Sequence, residues 1–317
     1  MKAVFFDGTL KIIDMEIPRR KEHEVLIRIS KAGICNTDHE ILKGYVPGFT
    51  GIPGHEFLGH VQEAENRSLI GRRVTGEINC ACGKCDYCAA GLGRHCPDRS
   101  VIGIMDHPGA FAEYICIPES TVVEIPEHIP DSRAIFIEPL AAACEILEQI
   151  EIPSQSRVLL IGDGKLALLI GLVVSSTGAD LTVVGKHENK LSFLEESNIR
   201  TVLLTDFVRE PYDIVIEASG SSSAFGLAVE CTKPRGTIVL KSTCAENLDF
   251  NPSGIVVNEL MLVGSRCGRF KDARAFIEKG NPRLEKLITK AFPLGRALDA
   301  FRESEKKDTI KVILKNE

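Results

Sequence analysis

Apolar residues fall into two textures along the chain, and the change comes near Glu138. Before it, short apolar runs are cut by glycine and proline. Val25–Ile29, Arg73–Thr75 and the largely apolar Phe111–Ile117 read as strands between turns. After it, the runs lengthen and change period. A helix is expected over Leu140–Ile150 and a strand over Arg157–Ile161. A glycine turn then leads into an apolar helix over Leu166–Ser176, closed by Gly178 as a C-terminal glycine. Further strands are expected at Leu181–Val184, Asp213–Glu217, Gly236–Leu240 and Leu260–Val263. Strands alternating with helices imply a parallel sheet covered on both faces. From Lys271, two amphipathic stretches precede a last strand at Ile310–Leu314. The pattern predicts an α/β protein: a β-rich N-terminal part, a doubly wound parallel-sheet middle and a short C-terminal return. No internal repeat or low-complexity linker interrupts it.

At 317 residues the chain exceeds what one hydrophobic core usually supports, so two domains are expected. Its hydrophobic fraction of 44% and charged fraction of 26% are those of an ordinary soluble globular protein. A net charge of -6 argues against nucleic acid as a partner, because phosphate-binding surfaces are basic. The longest apolar run, Leu166–Val174, is too short to span a bilayer, so no membrane partner is expected. Eleven cysteines are an odd number, and the chain opens with strand-like sequence instead of a secretory signal. A reducing cytoplasm is the expected location.

Four of those cysteines lie within fifteen residues: Cys82, Cys85, Cys88 and Cys96. Two CxxC steps sharing a middle cysteine, with a fourth thiol after a Gly-containing loop, supply the thiolates of a tetrahedral structural zinc. Such a closed site holds structure and leaves no position open for chemistry. Cys80 is expected to be a core or surface thiol. Cys116, Cys144, Cys231, Cys244 and Cys267 read as packing thiols.

The turn Gly162-Asp-Gly164-Lys165-Leu166-Ala167 follows an expected strand and opens an expected helix. Gly162 permits the tight turn, Gly164 lets backbone approach a pyrophosphate, and Ala167 allows close helix–strand packing. The helix N-terminus offers N–H groups to phosphate, beside which Lys165 is a favourable cation. An NAD site normally ends the next strand with a carboxylate that bonds the ribose 2′-OH. Here the strand ends Val184-Gly185-Lys186-His187, so glycine leaves room and two basic residues face a 2′-phosphate. NADP is therefore expected over NAD, with Glu188 serving NAD as the alternative.

Three separated segments carry further ligand-type residues: Gly33-Ile-Cys35-Asn-Thr37-Asp38, Gly54-His55-Glu56-Phe-Leu-Gly59 and Ile137-Glu138-Pro139-Leu140. With the cysteine lobe, Gly109–Tyr114, the glycine turn and Asp213–Gly220 they run in one order along nearly the whole chain. In this the chain resembles the zinc-containing medium-chain alcohol dehydrogenases, in particular the sorbitol, threonine and glucose dehydrogenase branch.

The resemblance implies a GroES-like catalytic domain over 1–139, completed by a C-terminal segment over 271–317, and a Rossmann domain over 140–270. The active site would lie in the cleft between them. Cys35, His55 and Glu56 would bind a catalytic zinc, making two zincs per chain, with Glu138 in the fourth place directly or through water. Asp38 would orient His55 from behind. Thr37 would relay the alcohol's proton, with His39 or Glu40 ending the relay. Ser219, Gly220 and Arg266 would flank the cofactor. The implied activity is oxidation of an alcohol, polyol or sugar by hydride transfer to NAD(P), in a homodimer or homotetramer. A zinc-stabilised binding or regulatory protein of the same fold is the alternative; the complete ligand set argues against it, as it does against a zinc-free quinone reductase.

Overall fold

The two sequence textures fold as two bodies. The computed structural model describes residues 1–221, 223–242, 252–280 and 283–316, so Cys244 lies outside the described residues. Its compact units are Met1–Glu138 with Ile277–Glu317, and Pro139–Phe276. Among the described residues no helix is long and apolar enough to cross a membrane.

The first unit is organised by one long strand, β1 (Glu24–Ile34), in which Val25, Ile27, Ile29 and Ile34 are fully or almost fully buried. It runs into a short helix, α1 (Asn36–Leu42), whose N-cap is Cys35. Asp38, at the third helical position, accepts the Cys35 N–H at 2.8 Å. Cys-x-x-Asp thus does what Ser-x-x-Glu does in a capping box, and it pins a thiol to a helix start. The strand β2 (Glu56–Glu63) pairs antiparallel with β1 and aligns Glu56 with Gly33. Next in sequence come β3 (Arg73–Gly76), β4 (Tyr114–Pro118) and β5 (Val122–Glu124), which extend the sheet. β4 covers only the first half of β1's free edge, from Glu24 to Arg28.

The second unit takes most of helix α2 (Ile137–Gln149), then β6 (Arg157–Ile161), α3 (Lys165–Ser175), β7 (Asp180–Gly185), β8 (Arg200–Leu203), β9 (Tyr212–Glu217), β10 (Thr232–Leu240) and β11 (Met261–Gly264). All six strands are parallel, in the order β8-β7-β6-β9-β10-β11. The chain steps outward from β6 one way and then resumes on its other side. That leaves a topological switch point at the C-terminal ends of β6 and β9, where open α/β sheets bind ligands. Gly178 takes a positive φ of 80° after α3, as the helix-end reading requires.

The chain then returns to the first unit through β12 (Ile288–Pro293), α4 (Ala297–Ser304) and β13 (Lys311–Lys315). β13 fills the second half of β1's free edge, with Ile313 opposite Gly33. Neither β2 nor β12 stands out in the apolar pattern. β12 is a sheet-edge strand with no fully buried residue, so it lacks alternation. β2 opens on a buried charge.

Candidate active site and zinc lobe

The register of β1, β2 and β13 brings a thiol, an imidazole and a carboxylate to one place. Ligand atoms of Cys35, His55 and Glu56 all lie within 4.8 Å of one another. His55 and Glu56 are buried at 3% and 1% exposure, and Cys35 is half-buried. Asp38, with no exposed surface, sets Oδ1 3.3 Å from His55 Nδ1, an ion-pair contact. Burial works against a charged His55, but Asp38 and Cys35 outweigh it and hold the imidazole well above its ordinary range.

Glu56 has a partner that sequence spacing does not reveal. Lys311 on β13 donates to Glu56 Oε2, and both side chains are buried. Burial disfavours the ammonium; Glu56, then Cys35, raise it above an ordinary lysine. Gly33 makes the room: a Cβ there would overlap Glu56 Oε2 and come within 3.0 Å of Lys311 Cε. The other oxygen, Glu56 Oε1, is buried without a hydrogen-bond partner among the described residues. A soft thiolate, an imidazole and an orphaned carboxylate oxygen form a donor set that suits zinc. Glu138 is not drawn into this trio. It is buried in the same neighbourhood, and burial pushes its carboxyl up to about 7, with Glu56 and Asp38 adding to the rise and His55 and Lys311 opposing it.

The three relay candidates on α1 part company. Thr37 Oγ1 lies 3.8 Å from Cys35 Sγ. Glu40, three residues on, shares a helix face with Thr37 and pairs with Lys43 at 3.3 Å. His39 makes its contacts on the other side of the helix. Its Nε2 is 2.7 Å from Ser304 Oγ, its Nδ1 3.6 Å from Glu305, and its ring meets Phe301 edge-on at 5.3 Å. Two residues apart on a helix, Thr37 and His39 point in nearly opposite directions, so His39 packs against α4 instead.

The four lobe sulfurs converge. Sγ–Sγ separations are 3.5 Å for Cys85–Cys88, 3.7 Å for Cys85–Cys96 and 4.0 Å for Cys82–Cys88. Four sulfurs on arms of ~2.3 Å around a tetrahedral zinc stand roughly 3.8 Å apart, so the cage already has the right size. The Lys84 N–H leads in pulling the Cys82 thiol down to about 7, despite some burial. Cys80 stays out of the cage, and burial pushes it up to about 11.

At the glycine turn, Gly162 adopts φ 131°, and a Cβ there would come within 2.7 Å of Ala218 O. Gly164 caps α3 and has open space where a Cβ would point. Lys165 and Leu166 are half-buried in the first helical turn. Beyond β9, the Ser219 N–H and hydroxyl both donate to Glu217 at 2.7 Å, and the Gly220 N–H donates to Ser242 at 2.8 Å. The Arg266 side chain is exposed; its carbonyl instead accepts from the buried Lys241 at 2.8 Å. The room expected at Gly185 does not exist, because Asp163 fills it. An ideal Cβ on Gly185 would lie 2.6 Å from Asp163 Cβ and 2.7 Å from its Oδ2. Sequence signals for the unforeseen residues were present but slight. Lys311 is a charge inside an apolar strand, and Asp163 is a carboxylate in the glycine turn, remote in sequence from the strand end where one is missing.

Two family models match: the alcohol dehydrogenase GroES-like domain over residues 21–127 and zinc-binding dehydrogenase over residues 166–280. The L-threonine 3-dehydrogenase of Chelativorans sp. (strain BNC1) is 32% identical over 269 residues, 78% of this chain and 77% of that protein. The chain belongs to the zinc-containing medium-chain dehydrogenases. Among solved structures, an RspB alcohol dehydrogenase from Escherichia coli CFT073, complexed with NADH, is 27% identical with a TM-score of 0.91, covering 99% of both chains. A zinc-binding dehydrogenase of Sinorhizobium meliloti 1021, bound to NADP, is 27% identical with a TM-score of 0.90, covering 99% of this chain and 98% of that one. Both nicotinamide dinucleotides thus occur among this chain's relatives.

Proposed function

We propose that the chain is a zinc-dependent oxidoreductase that interconverts a small alcohol, polyol or sugar and its carbonyl by hydride transfer with a nicotinamide dinucleotide. The observation that carries this reading is the convergence of Cys35, His55 and Glu56 donor atoms in a buried site. Bound there, zinc supplies a Lewis acid for the alcohol–carbonyl pair, while the dinucleotide accepts or donates the hydride.

The chain's own residues do the rest. Cys35 and His55 would hold the metal, and Glu56, with its orphaned Oε1, would be the third donor. Asp38 faces His55 Nδ1 and would leave the other ring nitrogen for the metal. Lys311 donates to Glu56 Oε2 and fixes its orientation. Glu138, buried in the same neighbourhood, would be an exchangeable fourth ligand. The Thr37 hydroxyl takes up the alcohol's proton and passes it towards Glu40 on the same helix face. In the second unit, Gly162, Gly164, Lys165 and Leu166 receive the pyrophosphate, with Ser219 and Gly220 beside the cofactor. The cysteine lobe carries a second, structural zinc. The edge strand β11 leaves Met261 59% exposed, and the helix Ser253–Val257 before it leaves Val256 and Val257 more than 70% exposed. An apolar sheet edge of this kind supports assembly with a second copy.

The test is a screen of alcohols, polyols, sugars and threonine with NAD and NADP, followed as reduced-nicotinamide absorbance. Turnover that disappears in Cys35→Ser is expected. Absence of turnover with every substrate class, in protein that holds zinc, overturns the reading.

A further inference from the structure

The choice between NAD and NADP is made where the adenosine ribose meets the C-terminal end of the second Rossmann strand. In this chain that end is β7, and its backbone is already occupied. Asp163, the residue between the two glycines of the turn, is only 8% exposed. Its Oδ2 accepts the N–H groups of both Lys186 and His187, each at 2.6 Å. His187 Nδ1 adds a third contact, 3.0 Å from Oδ2 and 3.2 Å from Oδ1. The carboxylate overlies Gly185 so closely that any side chain at 185 would collide with it. A carboxylate thus stands in the volume that a residue-185 side chain would use, and it arrives from the glycine turn instead of from the strand.

We propose that Asp163 is the residue that selects the ribose 2′ position, and that it selects NAD. The proposal rests on the reading of this chain as a nicotinamide-dependent dehydrogenase and reverses the expectation of NADP. A 2′-hydroxyl can donate to Asp163, which has acceptor capacity beyond its present contacts. A 2′-phosphate brings nearly two negative charges against a buried carboxylate. The groups that favoured phosphate are spent or screened: both strand-end N–H groups and His187 Nδ1 are engaged by Asp163. The Lys186 side chain is exposed, where a cation interacts weakly. Gly185 is then required by Asp163 and gives no opening to phosphate.

The experiment is direct binding of NADH and of NADPH to the full-length, zinc-loaded protein, followed by nicotinamide fluorescence. NADH is expected to bind at least tenfold more tightly than NADPH. Asp163→Ser should tighten NADPH and weaken NADH, shifting their ratio by about a hundredfold. Asp163→Asn, which keeps the shape and removes the charge, should shift it in the same direction. Wild-type protein that binds NADPH as tightly as NADH overturns the assignment, whatever the variants do. So does an unchanged ratio in a folded Asp163→Ser variant. If folded wild-type protein binds neither dinucleotide, the dehydrogenase reading falls and takes this assignment with it.

Discussion

Lys311 and Glu56, 255 residues apart in sequence, form an ion pair buried beside the Cys35–His55–Glu56 trio. Removing one member of a buried pair leaves the other charge uncompensated, at a cost of about 3–5 kcal/mol. Lys311→Met is expected to destabilise by that order in urea unfolding. The double variant Lys311→Met/Glu56→Gln should cost less than the sum of the two single changes. Strict additivity would show that the two charges are not coupled.

Gly33 is the space in which that pair sits. Gly33→Ala places a methyl against Glu56 Oε2, and overpacking of this kind costs about 1–3 kcal/mol. The variant should also hold less zinc at the Cys35 site, because Glu56 must swing away. Wild-type stability and full metal content together would refute this.

Glu138 is held at about 7, against an ordinary 4.5, chiefly by burial. The folded carboxyl therefore binds its proton more tightly than the unfolded one. Between pH 4.5 and 7 the folded state carries the extra proton, so stability falls as pH rises through that window. The full effect is about 3 kcal/mol, complete above pH 7. In chelator-treated protein, Glu138→Gln should gain on the wild type as pH climbs from 4.5 to 7 and level off beyond. A difference between the two that is flat with pH would count against a buried carboxyl.

Metal analysis is expected to find about two zincs per chain. Cys35→Ser should lose one and keep most of its stability; Cys88→Ser should lose the other and unfold at lower temperature, since lobe zinc is folding energy. One zinc in the wild type, still present in Cys35→Ser, would remove the catalytic metal from the scheme.

On α1, Glu40→Gln and Thr37→Ala should each lower kcat with little change in dinucleotide binding, as loss of a proton path requires. His39→Gln should instead lower the melting temperature through its lost Ser304 and Phe301 contacts and leave kcat within about twofold. A kcat that collapses only in His39→Gln would place His39, and not Glu40, at the end of the relay.

What the sequence determined by itself was whatever local spacing encodes. CxxCxxC with Cys96 brings four sulfurs together because a short loop can close around one point. The glycine turn is legible because strand, turn and helix are consecutive, and Cys-x-x-Asp because a helix start spans four residues. The family followed from the order of such motifs. What only the tertiary structure decided was the set of contacts made across long separations. No spacing rule joins Lys311 to Glu56 or His39 to Ser304, since sheet register and helix packing bring them together. The same holds for Asp163, whose carboxylate reaches a strand end more than twenty residues away. An empty position in the sequence, Gly185, proves in space to be a filled one. A chain position specifies what a residue lacks, whereas the volume around it is shared with every segment that folds against it.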